Sequence, residues 1–91
     1  MLLAMESSSA NLSYAYLSLK NTTDSMVEVT GYYVDRYESI GVFLRIPPKS
    51  SEILGVQTHL LAAGKEYSVY VRVKGYHPLE GPFKIQLPTL N

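Results

Sequence analysis

The side chains best suited to chemistry are few. The sequence holds two histidines, His59 and His77, and no cysteine. A zinc or copper site needs three or four converging nitrogen, sulfur or oxygen ligands. His59 falls on the polar side of an alternating segment, His77 stands between Tyr76 and Pro78, and no fixed spacing unites them. Structural roles are expected for both, with neither a metal nor another cofactor. The lack of thiols removes disulfides, cysteine-type zinc clusters and thiolate nucleophiles. Serines cluster at Ser7-Ser8-Ser9 and Ser50-Ser51, but a serine becomes nucleophilic only beside a base and an orienting group. No Gly-x-Ser-x-Gly elbow, phosphate loop or paired-carboxylate pattern accompanies them. These serines read as turn and linker residues, and Asp24 and Asp35 as turn residues. The expectation is a chain without catalytic residues, not an enzyme.

Two other residue types carry more information. Asn11-Leu12-Ser13 and Asn21-Thr22-Thr23 are N-glycosylation sequons. Asn21, placed in a turn, is expected to project more freely than Asn11. Tyrosine is abundant, at eight of 91 residues, against two phenylalanines and no tryptophan. Tyr33 and Tyr67 follow the core period and are expected inside. Tyr14, Tyr16, Tyr32 and Tyr70 follow the opposite period and are expected outside, with Arg72 beside Tyr70. Exposed rings with polar tips suit a binding surface, while cross-strand ring pairing that stabilises a sheet is the alternative. The loop Gly75 to Pro82, carrying Tyr76, is a further contact candidate, or an ordinary constrained hairpin.

The elements that must position these residues are strands. Ninety-one residues make one domain. Eight basic and eight acidic residues cancel, which argues against nucleic-acid binding and a polybasic membrane patch. Period-two alternation recurs along the chain. It is clearest at Glu66–Lys74, with Tyr67, Val69, Val71 and Val73 inward. Further strands are expected with Ile40, Val42, Leu44 and Ile46 inward; with Val27, Val29, Gly31 and Tyr33 inward; and with Leu54, Val56, Thr58 and Leu60 inward. Phe83, Ile85 and Leu87 mark the last, and Ala15, Leu17 and Leu19 the first. Turn clusters separate them at 21–25, 35–39, 47–51, 62–65 and 75–82. Short connections leave no room for a crossover helix. The fold expected over residues 10–91 is an antiparallel immunoglobulin-like β-sandwich of six to seven strands. Residues 1–9 are expected to be a flexible or edge-pairing terminus, or the stump of an anchor helix lying outside this chain, with Glu6 to Ser9 of linker character.

Leu61-Leu-Ala-Ala-Gly64-Lys-Glu-Tyr67-Ser-Val69-Tyr-Val71 resembles the tyrosine corner of fibronectin type III and other immunoglobulin-like domains. The resemblance implies that Leu61, Gly64 and Tyr67 form a structural unit in which the tyrosine hydroxyl bonds upstream backbone. Gly75-Tyr76-His77-Pro78, following a valine strand, is similar to the end of a PEGA-type surface repeat. Across residues 14–88, Tyr16-Leu-Ser-Leu-Lys-Asn21-Thr-Thr, Val27-Glu-Val-Thr-Gly-Tyr-Tyr-Val34 and Ile46-Pro-Pro-Lys-Ser-Ser-Glu52 resemble the outer domains of archaeal type IV pilin-like proteins, among them archaellins and archaellum accessory proteins that anchor the motor to the surface layer. That resemblance implies an extracytoplasmic, non-enzymatic domain acting by protein–protein contact, with surface-layer or filament subunits as partners and a homo-oligomeric habit. The alternatives are a carbohydrate-binding accessory module and a small viral structural protein.

Overall fold

The computed structural model describes residues 1–35 and 39–90. They contain seven strands: β1 (Leu3–Ala10), β2 (Tyr14–Asn21), β3 (Val27–Val34), β4 (Ile40–Ile46), β5 (Ser51–Gln57), β6 (Glu66–Val73) and β7 (Glu80–Gln86). Every pairing is antiparallel. The strands form two sheets, β1-β2-β5 and β4-β3-β6-β7. This is the expected immunoglobulin-like β-sandwich, with the fourth strand joined to the third rather than to the fifth. No helix among the described residues is long and apolar enough to cross a membrane.

Alternation decides which side chains the sheets enclose. Ala15, Leu17 and Leu19 of β2 and Leu54 and Val56 of β5 meet Val69, Val71 and Val73 of β6 and Phe83 and Ile85 of β7 in one buried cluster. Each of these leucine, valine, isoleucine and phenylalanine side chains contributes about 1.5–3 kcal/mol relative to exposure. The inward sets expected for β2, β6 and β7 are the observed ones.

The N terminus departs from the linker reading. Glu6 to Ser9 belong to β1, and Leu3 is buried at its start. Glu80, itself buried, tethers this strand: its Oε1 accepts the backbone N–H groups of Leu2 and Leu3, the latter at 2.9 Å. Glu80 was expected in a loop but opens β7, so the loop proper ends before it.

Strand β3 corrects the tyrosine assignment. Its pairing with β6 advances from Val29↔Val73 to Gly31↔Arg72, two residues against one. A β-bulge at Thr30–Gly31 therefore shifts the phase. Val27 and Val29 face inward before it; after it Tyr32 and Val34 do, and Tyr32 is only 1% exposed while Tyr33 is half-buried. Gly31 keeps this spot uncrowded: a Cβ would lie 2.6 Å from the guanidinium of the flexible Arg72 side chain and 3.0 Å from the Ile40 carbonyl, so both would have to shift to admit one.

Two more expectations change. Leu60 is exposed, because β5 ends at Gln57 and only Thr58 beyond it remains inside. Along β4, Ile46 is buried, Val42 and Leu44 are half-buried and Ile40 is exposed. This strand forms the rim of its sheet, where the three-stranded layer covers it incompletely. Of the turn expected at 35–39, residues 36–38 lie outside the described residues.

Candidate functional site

The tyrosine corner forms as its residues imply. The Ala62 N–H donates to the Tyr67 hydroxyl at 2.8 Å, and Gly64 supplies a φ of 76°. Leu61 packs against the core. A second tyrosine has a comparable structural role. The hydroxyl of Tyr32 crosses from β3 to accept the Gln57 N–H of β5 at 3.0 Å, tying one sheet to the other. Tyr32 is thus removed from the set of contact residues. The signal for this was Gly31 inside a strand, since glycine there often marks a bulge.

The sequons have opposite geometries. Asn21 is fully buried, not projecting. Its Nδ2 donates to the carbonyls of Ser25 at 2.6 Å and Ile46 at 2.9 Å. Its Oδ1 accepts the Thr23 N–H at 2.9 Å and the Thr23 hydroxyl at 2.7 Å. Both amide hydrogens are committed, which leaves no nitrogen open to a glycan. Asn11 is exposed, with Oδ1 accepting the N–H groups of Ser13 and Tyr14, both at 2.8 Å. The roles expected of the two positions are therefore reversed.

The remaining contact candidates fall on two opposite faces and one loop. On the outer face of β1-β2-β5, Tyr14 and Tyr16 are about two-fifths exposed and stacked, with ring centroids 6.1 Å apart. Tyr16 lies between Ser9 of β1 and Gly55 of β5, and nothing stands within 4 Å of where a Gly55 Cβ would be. At the other end of this face, Glu6 accepts hydrogen bonds from the hydroxyls of Ser18 and Ser51.

The outer face of β4-β3-β6-β7 is organised in rows across the strands. The first is ionic: Glu28 meets Arg45 at 3.4 Å and Lys74 at 3.6 Å. The second holds Phe43, the Thr30–Gly31 bulge and Arg72. Arg72 is half-buried, and its Nε donates to the Thr30 hydroxyl at 3.1 Å, so it braces the bulge as well as facing outward. The third holds the cross-strand pair Tyr33 and Tyr70, both half-buried. Phe43 is 78% exposed, and in the sequence it alternates with the aliphatic residues of β4. Tyr70 and Arg72 share this face, while Tyr76 is exposed in the β6–β7 connection.

His59 and His77 are both exposed. Among the described residues, no group of three or more His, Cys, Asp or Glu side chains comes together to hold a metal ion. Comparison with known protein families, curated proteins and solved structures finds no match to this chain.

Proposed function

We propose that this chain is a non-enzymatic domain of a cell surface or surface filament that works by protein–protein contact, in assembly, anchoring or adhesion. One observation carries the reading: the four-stranded sheet turns a phenylalanine, two paired tyrosines and an arginine outward, with Phe43 78% exposed. Aromatic and arginine side chains dominate the energetics of protein interfaces. A stable sheet beneath them holds the rings in place, so little conformational freedom remains to be lost on binding. The resemblance to archaeal pilin-like outer domains supports an extracytoplasmic location, surface-layer or filament subunits as partners, and a homo-oligomeric habit.

A photo-crosslinking amino acid at Tyr70, in the protein expressed in its own cells, tests this. The expected product is an adduct with an exported protein, lost when Phe43 is replaced by serine. Adducts confined to cytosolic proteins, or no protein adduct, would refute the reading.

A second reading, carbohydrate binding, has one specific observation in its favour. The stacked Tyr14–Tyr16 pair beside the uncovered Gly55 presents an uncharged aromatic shelf on the opposite face. A glycan array tests it: binding abolished by Tyr16→Ser supports it, and an array without hits removes it.

A further inference from the structure

The four rims of the two sheets are β1, β5, β4 and β7. A rim strand points the N–H and C=O groups of alternate residues away from its neighbour, a template for another strand unless something guards it. Three rims are guarded. β1 carries Glu6, three serines and a register break between Met5 and Ser7. β7 carries Pro82 and Lys84. β5 carries Glu52 in phase with its inward residues Leu54 and Val56, and a charge in that phase guards a rim more strongly than an outward one. The fourth rim, β4, reads Ile-Gly-Val-Phe-Leu-Arg-Ile, without proline and with a single charge near its end. Its ladder with β3 shifts register between Val29 and Gly31, but its own side chains keep alternating: Gly41, Phe43 and Arg45 outward; Val42, Leu44 and Ile46 inward. Among the described residues, no strand occupies its far side.

We propose that this rim is a self-association site, at which β4 pairs antiparallel with β4 of a second copy and joins the two four-stranded sheets into one of eight. This rests on the contact reading of the same face and names its partner. A two-fold axis normal to the sheet keeps inward residues opposite inward ones, so the sum of the two paired residue numbers must be even. Only the register centred on Phe43 pairs all seven residues. It sets Phe43 against Phe43 of the second copy and Val42 against Leu44. Ile40 then meets Ile46, and Arg45 meets Gly41.

The charges agree with this choice. Arg45 faces a glycine rather than another cation, and nothing lies within 4 Å of a Cβ at Gly41, so the long side chain has room. Centring the pair on Arg45 instead would oppose like charges, which is destabilising. The centred register also joins two exposed phenylalanines on the outer face, covering the most exposed aromatic ring among the described residues.

Sedimentation equilibrium of the chain from about 10 µM to 1 mM, with circular dichroism as the check on folding, tests the proposal. A reversible dimer is expected, with a dissociation constant below about 1 mM, the weak end for a small interface. Phe43→Lys replaces the aromatic pair by two like charges and is expected to raise that constant at least about tenfold, without loss of β structure. Gly41→Glu sets a carboxylate opposite each Arg45 and is expected to tighten the dimer by about threefold or more at low salt. Monomer throughout, a Phe43→Lys dimer as tight as the parent, or no tightening by Gly41→Glu overturns the proposed pairing. A monomeric chain that still crosslinks through position 70 to a different exported protein would remove the self-pairing and leave the contact reading standing.

Discussion

Replacing Asn21 tests how the interior handles a polar group. The side chain lies wholly inside and makes four hydrogen bonds that join the end of β2, the β2–β3 turn and the end of β4. At about 0.5–1.5 kcal/mol net for each, the bonds contribute roughly 2–6 kcal/mol. In Asn21→Ala the turn groups can rehydrate, because Ser25 is exposed and Thr23 half-buried. The Ile46 carbonyl belongs to a fully buried residue, and stranding it costs about 1–3 kcal/mol. A loss of about 3 kcal/mol follows, lowering Tm by roughly 12–24 °C in a domain of this size. Asn21→Asp keeps the shape but turns a carboxylate oxygen towards two carbonyl oxygens now 2.6 and 2.9 Å from Nδ2. At neutral pH it is expected to be the worse variant. Repulsion favours the protonated carboxyl in the folded state, so the deficit against the parent is smallest below about pH 4 and grows as pH rises. Urea unfolding followed by tyrosine fluorescence at pH 7 and pH 3.5 measures both effects. An Asn21→Ala loss under 1 kcal/mol, or an Asn21→Asp deficit independent of pH, would refute the reasoning.

Other substitutions probe other parts of the account. Glu80→Ala strands the N–H groups of Leu2 and Leu3, and a loss of about 1–3 kcal/mol is expected, with faster amide exchange along β1; unchanged exchange there would contradict the tether. Tyr32→Ser empties a buried ring site and is expected to destabilise by about 3–5 kcal/mol in thermal unfolding. A Tyr32→Ser protein as stable as the parent would return Tyr32 to the surface. Incubated with an oligosaccharyltransferase, the folded chain is expected to accept glycan at Asn11 alone, read by peptide mass spectrometry. Modification of folded chain at Asn21 would contradict its burial.

The sequence was most legible where alternation runs unbroken between strong turn signals. β6 is the clear case, since its four inward residues share one phase from Tyr67 to Val73 and neighbouring strands cover both its edges. The tyrosine corner was legible for a related reason: its geometry is local, confined to residues 61–67. Alternation failed in β3, where one extra residue at the bulge exchanges Tyr32 and Tyr33 while leaving composition untouched. β1 was obscured because its buried contribution is chiefly one leucine, the rest being polar outward residues and backbone pairing. Asn21 looked like a surface turn residue because its partners, the carbonyls of Ser25 and Ile46, meet only when β4 returns beside it. Phe43 alternates with the aliphatic residues of β4 in the sequence, but its prominence depends on β4 being a rim, which is a property of the topology.

Hydrogen exchange on the protein within its native assembly, compared with the isolated chain at low concentration, tests the contact account most directly. The account requires those amides of β4 between Gly41 and Arg45 that point away from β3, on alternate residues, to exchange quickly in the isolated chain and to be protected in the assembly, while β6 stays protected in both. Equal exchange across β4 in the two states, with new protection confined to β1, β2 and β5, would place the contact on the opposite face and contradict it.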